Sequence, residues 1–321
     1  MIMKIVMLER LSVGEDVDVS YLSKLGDFTA YDNTVTKEEI IERVGDAEAV
    51  IANKSRLNAE SLKDAPNVRI IAELATGYDN VDLEYCKSRG IRVVNVRDYS
   101  TAMVAQHTFA LALAVSQKLV HYDNYVKSGQ YGAQKRFSNF DIPFTELDGK
   151  TWGIAGLGNI GTRVAKIAEA FGCRVITHSI TGRKHDSGYE QVDKETLLKE
   201  SDYLSLHCPL SDLSRHFIDA DALKLMKPTA ILVNVARGPV VDSAALADAL
   251  ENGTIAGAGL DVLEAEPIAA DDPLGLIKDS NKLIITPHLA WASVEARTRC
   301  VSEVYKNLEA FMNGEERNVV C

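Results

Sequence analysis

The chain has 321 residues, of which 46% are hydrophobic and 25% are charged, and its formal net charge is −11. This length exceeds what one hydrophobic core normally serves, so it predicts two domains, and the composition is typical of a water-soluble globular protein. The negative charge argues against nucleic acid and anionic membranes as partners, because no basic surface is available to neutralise their phosphates.

Five cysteines are scattered without C-x-x-C spacing, so we predict neither a disulfide framework nor a bound metal. The first residues, MIMKIVMLER, contain Lys4 and Glu9 around an apolar run that is too short for the core of a secretory signal. Both features favour a cytoplasmic protein.

Short β-branched runs alternate with helical patterns over the first hundred residues. The runs IVML, AVIAN, VRIIAEL and IRVVNV predict strands, while TKEEIIERV and the segments near residues 60 and 85 predict helices. This alternation is typical of a parallel sheet covered by helices.

The longest uncharged stretch, YSTAMVAQHTFALALAVSQ at residues 99–117, is long enough to suggest a membrane span. It contains His107 and Thr108, so a buried helix over residues 101–118 is the better interpretation. The segment 129–147 has no clean period and is interpreted as an extended arm or loop that could serve an oligomer interface.

A second series of predicted strands follows, namely TWGIAG, RVITHS, YLSLH, AILVNV, IAGAGLDV and KLIIT, with helical segments between most of them. An amphipathic helix over residues 293–312 ends the sequence. We therefore predict an α/β fold with two doubly wound parallel-sheet domains.

The motif GLGNIG at residues 156–161 directly follows the strand TWGIA and opens a helix. In that context G-x-G-x-x-G predicts a dinucleotide site, with a glycine-rich structural turn as the alternative. Gly156 permits the tight turn, Gly158 lets pyrophosphate approach the backbone, and Gly161 lets helix and strand pack closely. The N-terminus of the helix would face the phosphates.

Three later strands end in polar residues that could converge on one crevice, namely Arg237, Glu266 and His288. Reduction of a 2-oxo acid requires a cation for the carboxylate, a proton donor at the carbonyl oxygen, and a carboxylate that keeps a donor histidine charged. Taken singly, each residue has a structural alternative: half of an ion pair, a surface acid and a buried core histidine, respectively.

The motifs GLGNIG, HCPL, NVARGPVVD, GLDVLEAEP and TPHLAWAS, in this order, resemble those of the D-isomer-specific 2-hydroxyacid dehydrogenases. The resemblance extends over nearly the whole sequence. It implies that Arg237 binds the substrate carboxylate, that His288 is the general acid/base, and that Glu266 holds and polarises His288.

The same resemblance implies a Rossmann-type dinucleotide-binding domain at residues 101–291. It also implies a flavodoxin-like substrate-binding domain, formed by residues 1–100 and 292–321, that closes over the cofactor. The stretch ELATGYDNVD is similar to the family's substrate loop, where backbone N–H groups face the substrate carboxylate. Trp291 is a further candidate substrate contact, with an interface or core tryptophan as the alternative. The loop residues are Leu74, Ala75, Thr76 and Gly77.

Ser179 stands where NAD-dependent members of the family usually carry an aspartate that contacts the ribose. An aspartate would repel a 2′-phosphate, so its absence and the following basic residues favour NADP, with NAD as the alternative. An exposed basic turn that contacts nothing is the other interpretation of this stretch. The residues implied in cofactor binding are Gly156, Gly158, Asn159, Ile160, Gly161, Ser179, Thr181, Arg183, Cys208, Pro209, Ala236, Asp261 and Thr108.

Within the family, LATGYDNVD, VAQHTFALAL and TPHLAW are similar to glycerate dehydrogenases, also called hydroxypyruvate reductases. We therefore expect a homodimeric enzyme that reduces hydroxypyruvate or glyoxylate. A dehydrogenase that acts on D-lactate or on branched D-2-hydroxy acids is the alternative within the family. A dinucleotide-binding corepressor is the alternative from another class of protein.

Overall fold

The computed structural model describes residues 2–184 and 186–321. The protein forms two compact units, Met1–Ser100 with Trp291–Cys321, and Thr101–Ala290. Trp291 belongs to the first unit, where its ring meets Tyr99 edge-on at a centroid distance of 6.1 Å. This contact corrects the predicted boundary, which assigns Trp291 to the second domain.

A five-stranded parallel sheet forms the core of the first unit, with strands β1 (Lys4–Met7), β2 (Asp27–Ala30), β3 (Ala49–Ala52), β4 (Ile70–Glu73) and β5 (Arg92–Val94). Its helices are α1 (Lys37–Val44), α2 (Ala59–Leu62), α3 (Leu83–Arg89) and the C-terminal α12 (Val294–Met312). Every residue of β3 and β4 is buried, as expected for strands covered on both faces. The order β2-β1-β3-β4-β5 is flavodoxin-like and confirms the fold predicted for this unit.

Strand β2 has no counterpart among the predicted strands. It lies at the edge of the sheet, and three of its four residues are exposed, so no apolar run marks it in the sequence. Its position comes from pairing with β1, from Lys4 opposite Asp27 to Met7 opposite Ala30.

Glu9 follows β1 and is only 4% exposed. Its carboxylate accepts hydrogen bonds from the backbone N–H groups of Asn53 at 2.9 Å, Lys54 at 3.0 Å and Ser55 at 2.5 Å. These three residues directly follow β3, the neighbour of β1 in the sheet. Glu9 therefore holds the turn at the carboxyl ends of the two strands through charge-assisted bonds.

Glu73, the last residue of β4, is completely buried. Its Oε1 accepts a hydrogen bond from Asn80 at 3.2 Å, and its Oε2 has no hydrogen-bond partner among the described residues. Burial raises the pKa of this carboxyl well above its usual value, although the bond from Asn80 opposes the shift. The carboxyl group therefore keeps its proton to higher pH than an exposed glutamate does.

We expect Glu73→Gln to stabilise the protein more at pH 8 than at pH 4. The unfolded carboxyl loses its proton above a pKa of about 4.3, whereas burial raises the pKa of the folded one, which keeps its proton to higher pH. Above that pH the unfolded state binds fewer protons, so wild-type stability falls by up to about 1.4 kcal/mol per pH unit until the folded pKa is reached. Glutamine is neutral throughout, so calorimetry should show a Tm difference that grows with pH. A difference that is independent of pH would contradict the raised pKa of Glu73.

The second unit contains a seven-stranded parallel sheet with strands β6 (Thr151–Ala155), β7 (Arg174–His178), β8 (Glu190–Gln191), β9 (Tyr203–Leu206), β10 (Ile231–Asn234), β11 (Gly257–Leu260) and β12 (Leu283–Ile285). Its helices are α4 (Thr101–Ser116), α5 (Leu119–Lys127), α6 (Gln130–Ala133), α7 (Asn159–Ala170), α8 (Lys194–Glu200), α9 (Ala220–Leu225), α10 (Ser243–Glu251) and α11 (Pro273–Leu276). The strand order β12-β11-β10-β9-β6-β7-β8 is doubly wound and confirms the Rossmann-type prediction. The unpredicted β8 has two exposed residues.

Helix α4 packs on the sheet through Leu111 and Val115. A Cβ built on Gly259 or Gly257 of β11 would lie within 2.7 Å of these side chains. The helix ends at Ser116, two residues earlier than predicted, because Lys118 adopts a φ of 56° and is the N-cap residue of α5. Within the described ranges, no helix is both long and apolar enough to cross a membrane.

The segment 129–147 contains the short helix α6 and is otherwise irregular, which agrees with the predicted arm or loop. It exposes three phenylalanine side chains, because Phe137, Phe140 and Phe144 are 88%, 73% and 57% exposed. Clustered exposed apolar surface is typical of an interaction site.

Candidate active site

The three predicted catalytic residues follow three adjacent strands. Strand β10 pairs with β11, and β11 pairs with β12, all in parallel, so their carboxyl ends lie at one edge of the sheet. Arg237 comes after β10, Glu266 after β11 and His288 after β12. The fold therefore places all three on the edge where open α/β sheets bind ligands.

His288 and Glu266 form a hydrogen-bonded pair. The ring Nδ1 of His288 lies 2.6 Å from Glu266 Oε2, and Glu266 Oε1 accepts the N–H of Leu263 at 3.0 Å. An ionised carboxylate can only accept a hydrogen bond, so Nδ1 carries a proton and donates a hydrogen bond to Glu266. The other ring nitrogen, Nε2, is then the atom that can exchange a proton with a substrate. Both side chains reach solvent, with exposed fractions of 25% and 32%.

Arg237 lies in a turn that Asn234 shapes. The side-chain amide of Asn234 donates to Arg237 O at 2.9 Å and accepts from Ala236 N at 3.0 Å. The guanidinium Nη1 of Arg237 donates to Ala236 O at 2.8 Å. A Cβ on the next residue, Gly238, would lie 1.8 Å from Leu263 O. Glycine is required there, and it brings the turn that contains Arg237 directly against the loop that leads to Glu266.

The glycine-rich turn between β6 and α7 has the geometry expected of a dinucleotide motif. Gly156 has a φ of 95°, and a Cβ on Gly161 would lie 2.2 Å from Gly156 O. A Cβ on Gly158 would meet nothing within 4 Å, so the space before the helix is open. Gly158 and Asn159 are exposed at the helix N-terminus, where backbone amides favour anions. These residues fit the pyrophosphate of a dinucleotide.

The other predicted cofactor residues differ in accessibility. Cys208 is buried, and burial raises the pKa of its thiol to about 11, so it is a neutral group near the turn. Thr108 is completely buried, and its hydroxyl donates to Val104 O at 2.8 Å, which leaves no accessible side-chain atom for the predicted contact. Thr181, Arg183 and Pro209 are exposed, Ile160 and Ala236 are half-buried, and Ser179 is 8% exposed.

Asp261, also predicted to contact the cofactor, is 1% exposed. Its Oδ1 accepts from Thr286 Oγ1 at 2.6 Å and from Leu289 N at 2.9 Å, and its Oδ2 accepts from Ala290 N at 2.8 Å. Burial acts to raise the pKa of Asp261, but these bonds and one from His107 hold it below its usual value. The carboxylate is therefore ionised, and it binds the segment on either side of His288.

The contact of His107 with this group is absent from the predicted site. His107 lies on α4, 8% exposed, with Nε2 at 2.9 Å from Thr286 Oγ1 and 3.5 Å from Asp261 Oδ1. The sequence marks it only as a polar residue within an apolar helix. Its partner Thr286 is 179 positions away, so no local spacing indicates the contact.

The predicted substrate loop lies in the first unit and follows β4. The N–H of Leu74 donates to Ala52 O at 2.7 Å, because the ladder between the strands continues by one residue. This bond corrects the prediction that the Leu74 N–H faces a substrate. Thr76 is exposed, and its hydroxyl donates to Val96 O at 2.8 Å. The other loop residues, Ala75 and Gly77, are half-buried.

Comparison with known proteins relates this chain to 2-hydroxyacid dehydrogenases. Residues 109–290 match the family model described as D-isomer specific 2-hydroxyacid dehydrogenase, NAD binding domain. The chain is 41% identical over 317 residues to a glycerate dehydrogenase of Methylorubrum extorquens, covering 99% of this chain and 98% of that protein. It is 38% identical over 323 residues to a hydroxypyruvate reductase of Blautia hydrogenotrophica, covering 99% of each.

A solved structure with a similar fold is an NADPH-dependent glyoxylate/hydroxypyruvate reductase from Sinorhizobium meliloti in complex with NADP and malonate. It is 29% identical, with a TM-score of 0.85 over 100% of this chain and 97% of that protein. The family match covers more than half of the sequence, and the relatives cover nearly all of it. The chain therefore belongs to the D-isomer specific 2-hydroxyacid dehydrogenase family.

Proposed function

We propose that this protein reduces a small 2-oxo acid, hydroxypyruvate or glyoxylate, to the D-2-hydroxy acid with a nicotinamide cofactor. The observation that carries the proposal is the 2.6 Å contact between His288 Nδ1 and Glu266 Oε2, at the sheet edge that also bears Arg237. This arrangement combines a proton donor, His288, with a cation, Arg237, that can bind a substrate carboxylate. The relatives described as glycerate dehydrogenase and hydroxypyruvate reductase support the choice of substrate.

In the proposed reaction, Arg237 binds the substrate carboxylate through two N–H groups, which its planar guanidinium can present together. A bound nicotinamide supplies the hydride that reduces the carbonyl carbon. His288 donates a proton from Nε2 to the carbonyl oxygen, which becomes the hydroxyl of the product. Glu266 stabilises the protonated ring before the transfer and accepts a hydrogen bond from Nδ1–H of the neutral ring after it.

A substrate panel tests this proposal. Purified protein would be assayed with hydroxypyruvate, glyoxylate, pyruvate and a branched 2-oxo acid by following oxidation of the reduced nicotinamide. We expect the highest kcat/KM with hydroxypyruvate or glyoxylate. The highest value with pyruvate or the branched acid would favour a dehydrogenase of D-lactate or of branched D-2-hydroxy acids. Tight cofactor binding without turnover of any substrate would favour the corepressor-like alternative.

We expect kcat/KM with NADPH to equal or exceed that with NADH. Ser179 follows β7 at the position where an acid would accept hydrogen bonds from the ribose and exclude a 2′-phosphate. Arg183, four residues later, is exposed and could pair with that phosphate. Arg183→Ala should therefore weaken kcat/KM for NADPH roughly tenfold and leave that for NADH nearly unchanged.

Lys166→Ala is a matched control for this prediction, because it removes a positive charge from an exposed position on α7. It should leave the ratio of the two cofactors unchanged. A tenfold or greater preference for NADH that Arg183→Ala does not alter would show that no phosphate site replaces the missing acid.

We further propose that the protein is a cytoplasmic homodimer. A second copy that covers the arm at residues 129–147 would remove Phe137, Phe140 and Phe144 from water. All five cysteines are free, which suits a reducing compartment. Light scattering on the purified protein should give a mass of two chains, and a monomer would contradict the dimer.

A further inference from the structure

A series of three hydrogen-bonded side chains connects helix α4 with the segment that carries the catalytic histidine. Thr286 Oγ1 lies 2.6 Å from Asp261 Oδ1 and 2.9 Å from His107 Nε2. A hydroxyl has one proton, so it can donate one hydrogen bond, and the Thr286 hydroxyl donates it to the closer, ionised acceptor Asp261. Thr286 must then accept a hydrogen bond from His107, so the proton of His107 is on Nε2. The bonds run in one direction, from His107 through Thr286 to Asp261.

Asp261 in turn holds the backbone around His288. Its carboxylate accepts the N–H groups of Leu289 and Ala290, and its backbone oxygen accepts the N–H of His288 at 2.8 Å. His288 has a φ of 53°, in the left-handed region that residues other than glycine adopt at an energetic cost. Such a conformation persists where the surroundings over-determine it. At His288, the surroundings that fix the backbone are the hydrogen bonds made by the carboxylate and the backbone oxygen of Asp261.

We propose that His107 is a positioning residue for the reaction. Its Nε2–H orients Thr286, Thr286 completes the set of donors on Asp261, and Asp261 holds His288 in the conformation that pairs its ring with Glu266. His107 is only 8% exposed, and its Nε2 lies 2.9 Å from Thr286 Oγ1 and 3.5 Å from Asp261 Oδ1, so it acts through these two side chains. This inference rests on the proposed role of His288, and it adds the requirement for a hydrogen-bond donor on a separate element, α4.

Two substitutions at this position separate the donor from the volume of the side chain. Phenylalanine fills the space of the imidazole without donating, whereas the amide nitrogen of glutamine can replace Nε2–H. We expect His107→Phe to lower kcat roughly tenfold to a hundredfold, because small displacements of a catalytic group have effects of that size. His107→Gln should recover most of the loss. Cofactor affinity, measured by fluorescence titration of NADPH, should change little in either variant.

Thr286→Val tests the same connection from the other side and does not depend on the folding of the His107 variants. It removes the hydroxyl and keeps the shape, so it should lower kcat as His107→Phe does. Gln106→Ala is the matched control, because Gln106 is the exposed neighbour on the same helix and should behave as wild type. A wild-type kcat in His107→Phe or Thr286→Val would overturn the proposal, as would a failure of His107→Gln to recover activity in a folded protein.

A double-mutant cycle with His288→Asn distinguishes this proposal from the proposed function itself. If His107 acts through His288, then His107→Phe should produce no further fall in kcat when His288 is already replaced. An equal further fall in that background would show a general structural role and overturn the inference. Wild-type turnover in His288→Asn alone would remove His288 from the mechanism, which is a failure of the proposed function and not of the hydrogen-bonded series.

Discussion

Replacing His288 with asparagine should lower kcat for 2-oxo acid reduction by about 10² to 10⁴-fold, the usual contribution of a positioned proton donor. Asparagine is a suitable substitute because it tolerates the left-handed backbone, φ 53°, that His288 adopts. An alanine at this position would add backbone strain to the loss of the imidazole. Steady-state assays with hydroxypyruvate and NADPH would measure kcat, and fluorescence titration should show that the variant still binds the cofactor.

His216 provides a close control for this substitution. It also has a positive φ, 49°, and its Nε2 lies 3.0 Å from the carboxylate of Glu264, whereas His288 pairs with Glu266. His216→Asn should therefore retain wild-type turnover. Near-wild-type kcat in His288→Asn, or an equal loss in both variants, would contradict the assignment of His288 as the proton donor.

Arg237→Lys should lower kcat/KM on the order of a hundredfold, because a preorganised charged contact to the reacting group is lost. An ammonium can replace the charge, but it cannot reproduce the planar two-point contact with a carboxylate. The effect should appear mainly in kcat/KM for the 2-oxo acid, with cofactor affinity nearly unchanged. Kinetics and thermal unfolding should be measured on the same preparation.

Arg174→Lys is the matched control for a purely structural ion pair. Arg174 pairs at 2.7 Å with both Glu190 and Glu200 at the protein surface. Its replacement should leave the kinetics intact, since exposed pairs of this kind contribute little. If Arg237→Lys likewise lowered only the Tm and left kcat/KM unchanged, Arg237 would be a structural residue and not the carboxylate receptor.

Much of the fold could be predicted because its central strands are buried on both faces. Strands such as β3 and β10 consist entirely of buried residues, and they appear in the sequence as short continuous apolar runs. Strand β2 and the two-residue β8 lie at sheet edges and are mostly exposed, so their sequences carry no such signal. The break between α4 and α5 occurs at Lys118 without a glycine or proline to mark it.

The candidate catalytic residues could be predicted for a related reason. In a parallel sheet, polar residues that follow adjacent strands share one edge, so Arg237, Glu266 and His288 could be grouped from sequence position alone. The hydrogen bonds that orient them could not be predicted. The contact of His107 with Thr286 and the ladder bond that occupies the N–H of Leu74 depend on segments that only folding brings together.

Because of the carboxylate of Glu9, the two sheets of this protein differ in how readily they can bind a phosphate group. In a flavodoxin-like strand order, phosphate groups are typically received at the carboxyl ends of β1 and β3. Here the amides of Asn53, Lys54 and Ser55 already bind an acid that belongs to the same polypeptide. A free phosphate would have to displace the Glu9 carboxylate from these amides. Because this carboxylate is part of the same chain, its effective concentration at the amides is fixed by the fold. A phosphate at this point of the first unit would therefore meet a competing carboxylate, whereas Gly158 and Asn159 in the glycine-rich turn of the second unit are exposed.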